Sequence, residues 1–416
     1  MRQLFTMKRK QHVITILILG ALATISPFSI DMYLPGFPAI AADLGTSIAR
    51  VQLSLTSYLV GIAVGQLVYG PMLDRFGRKT PLYVGLAIYV VTSLVCAFTT
   101  SVDALIFMRF LQALGGCAGI VAAQALVRDL YPLNQIAQAF SSLTLVIAVS
   151  PMVAPTVGGY VTAAFGWNYV FVMLAVITAL IVVAVYFVLP QGRKADPSIS
   201  LKPKAVLKSF YSVVKEPQFL VYGLSGGIAT SATFAYIAGS PEVMITMYGF
   251  SEQEYGWIFA FLAFGLIGST QLNHIFLKRY TSQQIIYVAL VYQTMIGVLL
   301  LAGTWYEWYS PFGLIGMMFI FLTGQGLTNP NATALTLAPF TRHTGSAASL
   351  NGCIRMAIGG MMTGLVSALH NNTAVPMVGV MVLCAVGGLL ILLLGKRKLR
   401  FPANKQVVEE EGTVLI

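Results

Sequence analysis

The sequence predicts an all-α integral membrane protein of twelve transmembrane helices in two six-helix halves. Three observations carry that expectation. Hydrophobic residues make up 57% of the chain, charged residues 9%, and the mean hydropathy is +0.80, which excludes an ordinary soluble domain. The 416 residues accommodate about a dozen apolar runs of roughly 20 residues with short connections. The basic residues, finally, fall almost entirely in alternate loops.

In chain order the runs place spans at 13–35, 52–71, 81–100, 104–127, 137–162, 167–189, 218–239, 254–277, 284–303, 311–336, 346–369 and 374–395. The first is too rich in polar and turn residues (Ser26, Pro27, Ser29, Asp31, Pro35) for a cleaved signal peptide, so it is expected to stay as span one. Residues 1–189 then form an N-terminal half and 217–395 a C-terminal half. Between them, 190–216 reads as a cytoplasmic linker with one amphipathic piece around Pro203–Val214, and 396–416 as a cytoplasmic tail. An echo links the halves: Gly65 with Arg78 and Lys79 recurs 200 residues later as Gly265 with Lys278 and Arg279. His274 stands where a second Asp74 would be, so the copy is degraded.

The formal charge of +11 raises the question of nucleic acid, and placement answers it. With the N-terminus inside, 22 of the 25 basic residues lie in inward segments, whereas the outward loops hold Arg50 against Asp43, Asp103, Glu252, Glu254 and Glu307. That is the positive-inside pattern, and it puts both termini in the cytoplasm. No nucleic-acid partner is expected. Cys96, Cys117, Cys353 and Cys384 all fall in spans and read as small core residues.

Between spans two and three, GPMLDRFGRK (70–79) sets Asp74, Arg75, Arg78 and Lys79 among two glycines and a proline. Gly70 allows close helix approach, and Asp74 can accept from a helix N-terminus or an arginine. A plain solvated loop needs charge but no such order. The pattern G-x-x-x-D-R-x-G-R-K resembles the loop between spans two and three of major facilitator transporters.

Three ionisable groups fall well inside spans: Asp31, Arg109 and Arg355. Facing lipid, each would cost on the order of 3 kcal/mol or more, so each is expected to face a cavity or a partner. Arg109 lies about 9 Å below the outer surface, and Asp31 about 27 Å from the cytoplasmic side, at similar height. An Asp31–Arg109 pair, direct or through water or Gln112, is therefore expected. Arg355 sits nearer mid-membrane, a poorer direct partner. Burial favours a protonated carboxyl and a guanidinium favours the carboxylate. Where the two nearly cancel, Asp31 can take and surrender a proton while Arg109 stays charged. An ion pair that only assembles the bundle is the alternative, and Asp31 is the single acid this reading places deep in a span.

SIDMYLPGFPAI (29–40) and RFLQALGGCAG (109–119) resemble spans one and four of the Bcr/CflA group of drug–proton antiporters. VSPMVAPTVGGY (149–160) resembles the antiporter motif of span five, G-x-x-x-G-P-x-x-G-G, with Ser150–Pro151 and Ala154 in place of two glycines. The C-terminal half follows through YIAGSPEV (236–243) and SLNGCIRMAIGG (349–360). Read physically, Pro151, Pro155 and Gly159 share a helix face with Gly158 beside them, a bent and closely packed surface suited to a hinge or a seal against ion leak. Gly70, Asp74, Arg75 and Arg78 complete the expected gating set.

The resemblance implies the major facilitator fold, with spans one, two, four, five, seven and eight around a central cavity. Helical phase then offers Phe28, Asp31, Tyr33, Leu55, Tyr58, Gln112, Phe234 and Tyr236 as substrate contacts, an aromatic pocket suited to lipophilic drugs. No phosphate-cradling loop, HExxH, CxxC or GxSxG is present, so neither an enzyme nor a cofactor is expected. The expected function is proton-coupled drug efflux across the bacterial inner membrane, by a monomer among membrane lipids, driven by the proton gradient. A proton-coupled or facilitative transporter of a small metabolite is the alternative. A polytopic enzyme or receptor would need polar clusters or a soluble domain that the sequence lacks.

Overall fold

A computed structural model describes residues 9–198, 201, 203–340 and 344–396. Residues 397–416 of the expected tail 396–416, the first eight residues, Lys202 and Arg342 lie outside the described residues.

Among the described residues the chain is helical throughout. Span one is Arg9–Asp31, continued by a 3-10 turn at Leu34–Gly36 and a short helix Phe37–Asp43. Spans two to six are Ile48–Phe76, Lys79–Ala97, Val102–Leu130, Leu133–Phe165 and Asn168–Val188. The linker carries the short helix Pro203–Val214, where the amphipathic pattern puts it. Span seven is Pro217–Pro241, prolonged by a π-helical turn Glu242–Met247. Spans eight to twelve are Glu252–Phe276, Ser282–Trp305, Pro311–Leu337, Thr344–Ala368 and Val375–Lys396.

Eleven of these twelve are long and apolar enough to cross a membrane. Span eleven has the length but more polar residues. We read it as the twelfth crossing because it lies between spans two and seven, where its polar groups are shielded from lipid.

Local signals explain the boundaries. Ser47, Ser251, Thr281 and Ser310 cap the first turns of spans two, eight, nine and ten with their hydroxyls, and Glu254 and Gln284 close capping boxes on two of them. Gly77 ends span two at φ 80°, a left-handed conformation that favours glycine.

The halves meet along two seams. Span two packs on span eleven, where Thr56 bonds Thr363 across the halves at 2.8 Å and a Cβ on Gly352 would collide with Gln66. Span five packs on span eight, where Thr156 donates to the Gly256 carbonyl at 3.2 Å and a Cβ on Gly159 would strike the Glu252 backbone. Small residues are needed at both seams because backbone meets backbone.

Candidate functional site

Span one organises the site. Pro27 lies inside its helix, and the helix ends at Asp31, so its last carbonyls lack intrahelical partners. The Ser29 carbonyl takes no backbone N–H among the described residues. Arg109, on span four and fully buried, fills that vacancy: its Nη2 donates to Ser29 O at 2.8 Å. A cation is favoured there, because the carbonyl end of a helix carries partial negative charge.

Aromatic rings complete the enclosure. The guanidinium lies 4.2 Å from the Tyr33 ring centre, 4.1 Å from Tyr58 and 5.7 Å from Phe171. Such faces attract a cation by about 2 kcal/mol when water is excluded. Nη1 donates to Gln112 Oε1 at 2.6 Å, and Gln112 Nε2 donates to Ser93 Oγ at 2.6 Å. Ser29 Oγ in turn bonds the Tyr89 hydroxyl. Only Nε of Arg109 is left without a partner.

The expected Asp31–Arg109 pair is made neither directly nor through Gln112. No ion pair or hydrogen bond joins them among the described residues, and Gln112 leads from Arg109 to Ser93, not to Asp31. Asp31 lies two residues beyond Ser29, about 200° around the helix, so its side chain leaves on the opposite side. Arg109 finds its compensation in a helix end and in rings, and needs no carboxylate.

Asp31 instead faces the C-terminal half. It is 4% exposed, its Oδ1 has no hydrogen-bond partner, and its electrostatic neighbours are Tyr236 and Tyr255 on spans seven and eight. The Tyr236 ring packs on Phe259 at 5.4 Å and its hydroxyl is also unpartnered, while Tyr255 bonds Ser240 at 2.9 Å. A buried carboxyl and a buried phenol, both with free oxygens, thus stand on either side of the boundary between the halves.

The expected pocket splits accordingly. Tyr33, Tyr58 and Gln112 are buried around the guanidinium and hold Arg109, and Leu55 is fully buried. Phe28 and Phe234 are half-buried, with Phe234 lying against Gly359 of span eleven. Phe28, Asp31, Phe234 and Tyr236 remain as the candidate lining.

A second buried acid was missed. Glu242 lies in the π-helical turn, where hydropathy ends span seven too early because the helix runs on through Pro241. Its carboxylate meets His370 Nδ1 at 3.0 Å and receives Gln52 Nε2 from span two at 3.4 Å. Ser367 nearby donates to the Ala49 carbonyl at 2.6 Å. These bonds tie the start of span two to the ends of spans seven and eleven.

The cluster after span two also gains a member. Arg78 donates to Asp74 at 2.6 Å and, through Nε and Nη2, to both oxygens of Asp129 at 2.7 and 3.3 Å. Asp129 further accepts the Arg193 backbone N–H of the linker at 2.9 Å. Burial works against the Arg78 charge, but the bonds and charges of Asp129 and Asp74 outweigh it and hold the guanidinium more firmly protonated than a free one. Asp129 follows Arg128 at the end of span four, and that acid beside the base was the sequence signal. Arg75 lies 5.8 Å from the Phe76 ring centre. Gly70 faces Ser349 of span eleven across the seam.

In span five, Pro151 and Pro155 lie inside the helix. Gly158 and Gly159 diverge: a Cβ on the first would strike the Met32 backbone of span one, and on the second the start of span eight. One pair of glycines therefore touches both the segment after Asp31 and the opposite half.

Comparison with known proteins adds the relatives. The description of the Major Facilitator Superfamily matches residues 19–364. The chain is 33% identical over 380 residues to a bicyclomycin resistance protein homolog of Haemophilus influenzae, covering 91% of this chain and 95% of that one. It is 29% identical to multidrug resistance protein D of Escherichia coli, covering 93% and 96%. A bacterial homolog of the human lysosomal transporter Spinster, in an inward-facing and unoccupied conformation, superposes with a TM-score of 0.69 at 16% identity over 94% of this chain and 96% of that one, a likeness of fold.

Proposed function

Since the chain belongs to the major facilitator superfamily, we propose that it exports lipophilic drugs across the bacterial inner membrane in exchange for protons. It is a multi-pass transporter, and its relatives are named for resistance to bicyclomycin and to many drugs. In this reading both termini are cytoplasmic, the protein acts as a monomer, and the proton gradient replaces any cofactor.

One observation carries the coupling. Asp31 is a buried carboxyl with a free oxygen and no cationic partner among the described residues, and it stands where the halves meet. A carboxylate in that setting must have its charge met by a proton or relieved by water. Alternating access changes the water around it. Open to the acidic outside, Asp31 takes a proton and the drug leaves. Open to the cytoplasm, it releases the proton as the next drug enters from the inner side. The fixed charge of Arg109 holds span one so that Asp31 keeps its place at the boundary.

The test uses vesicles containing only this protein, with an acidic lumen and a pH-sensitive dye inside. Adding bicyclomycin outside should drive drug inward and protons outward, so luminal pH rises with drug concentration. Drug uptake that ignores the pH gradient and moves no protons would replace this reading with facilitated transport.

A further inference from the structure

The C-terminal half holds a second deep guanidinium whose donors are largely unspent. Arg355 lies eleven residues into span eleven from Thr344, about 16 Å along the axis. Its Nη1 donates to Thr333 Oγ1 at a long 3.3 Å, and its Nε is dry and unpartnered. No acid lies within ion-pair distance of it among the described residues. Its stem packs against Gly227 of span seven, yet the side chain is only half-buried.

The walls around it are polar but neutral. Thr230, Asn329, Thr333 and Asn351 line the same cleft between spans seven, ten and eleven. The threonine hydroxyls bond the Gly226 and Asn329 backbones within their own helices. The Asn329 and Asn351 carboxamides take no hydrogen bond among the described residues. The cleft has no room for a water-sized sphere in this conformation, so a ligand meets the fork at its mouth. About 10 Å farther along the same face of span seven stands Phe234, against Gly359 of span eleven.

We propose that Arg355, with the carboxamides of Asn329 and Asn351, is an oxyanion subsite that takes the carboxylate of an amphiphilic substrate whose apolar body lies along Phe234. The guanidinium offers a planar fork of donors matched to a carboxylate, and the two carboxamides add N–H groups beside it. A deep cation without a counter-charge is costly, and an arriving anion removes that cost. The proposal rests on the export reading and adds lipophilic acids to the drugs it covers. An oxyanion at this site has two sources, a substrate carboxylate or a lipid phosphate. The depth of Arg355 in span eleven favours the first.

The experiment measures equilibrium binding to detergent-purified protein at pH 8 without any gradient, so it stands or falls independently of proton coupling. The probes are 1-naphthaleneacetate and its neutral isostere 1-naphthaleneacetamide. The wild type should bind the acetate about tenfold or more tightly than the amide. Arg355→Gln should bring that ratio close to one, and Arg355→Lys should leave it between, because an ammonium lacks the planar fork. Equal affinities in the wild type overturn the proposal, as does a preference that survives in folded Arg355→Gln. Should that variant not fold, Asn351→Leu should lower the ratio several-fold, and an unchanged ratio is equally fatal. Phosphatidylglycerol that displaces the acetate where phosphatidylcholine does not would assign the site to a lipid headgroup and overturn the substrate assignment.

Discussion

The two halves each bury an arginine, and they treat it in opposite ways. Arg109 is fully enclosed, with a helix-end carbonyl, a carboxamide and three rings around one guanidinium. Arg355 has one long bond to a threonine and keeps part of its surface. Arg78 resembles the first, held by two carboxylates, and Asp31 resembles the second, with a free oxygen and no cationic partner among the described residues. A charge whose partners are all supplied by the fold has structural work to do. A charge left bare at comparable depth is available to something that comes and goes.

The largest effect expected from that distinction is at Asp31. Asp31→Asn keeps the shape and removes the titrating group, so pH-driven drug export in vesicles should fall to background while the melting temperature holds or rises. Normal export by this variant would place the coupling elsewhere and break the link between bareness and function.

Arg109→Met should act on stability first. It strips three ring faces of their cation, leaves Ser29 O and Gln112 Oε1 unpaired, and should cost about 3–5 kcal/mol, read as a large drop in the melting temperature of the detergent-solubilised protein. Arg109→Lys should recover part of it, since charge returns without the fork. A variant that melts normally and fails only in coupling would make Arg109 a functional partner of Asp31 after all.

Sequence reasoning reached the spans and the linker helix because hydrophobic runs and amphipathic patterns are written locally. It reached Asp31 and Arg109 because ionisable residues in apolar runs stand out. It mispaired them because opposite charges at similar depth are no guide to azimuth. That Arg109 would cap a helix ending at Asp31 depends on where Pro27 and Leu34–Gly36 turn the chain, which hydropathy does not register. Glu242 was lost because a π-helical turn carries span seven past its proline. Tyr33 and Tyr58 were given to substrate because an aromatic at a helix face reads alike whether it meets a drug or a guanidinium.

At the Arg78 cluster the effect should be smaller and ordered. Asp129 gives Arg78 two bonds and the linker one, and its side chain is 13% exposed, against 44% for Asp74. Asp129→Asn should cost about 1–2 kcal/mol, and Asp74→Asn at most about 1, because an exposed ion pair contributes little. Losing the Asp129 charge should also loosen the linker at Arg193, so limited proteolysis between residues 190 and 200 should be faster in that variant than in Asp74→Asn. The reverse order would return the leading role in this cluster to Asp74.

The smallest stability change should come from Arg355→Met, which makes it the sharpest control on Arg109→Met. The two substitutions are chemically identical. At Arg355 the loss is one long hydrogen bond to a neutral hydroxyl, while the desolvated charge and its unpartnered Nε disappear. Replacing a poorly compensated buried ion with an apolar side chain of similar volume is often neutral or stabilising. The variant should therefore melt within about 1 kcal/mol of the wild type or above it. A protein that gains stability by losing a residue is keeping that residue for another reason. A drop as large as that of Arg109→Met would mean that the Arg355 donors serve the fold in another conformation, and the contrast between the two arginines would no longer separate structure from function.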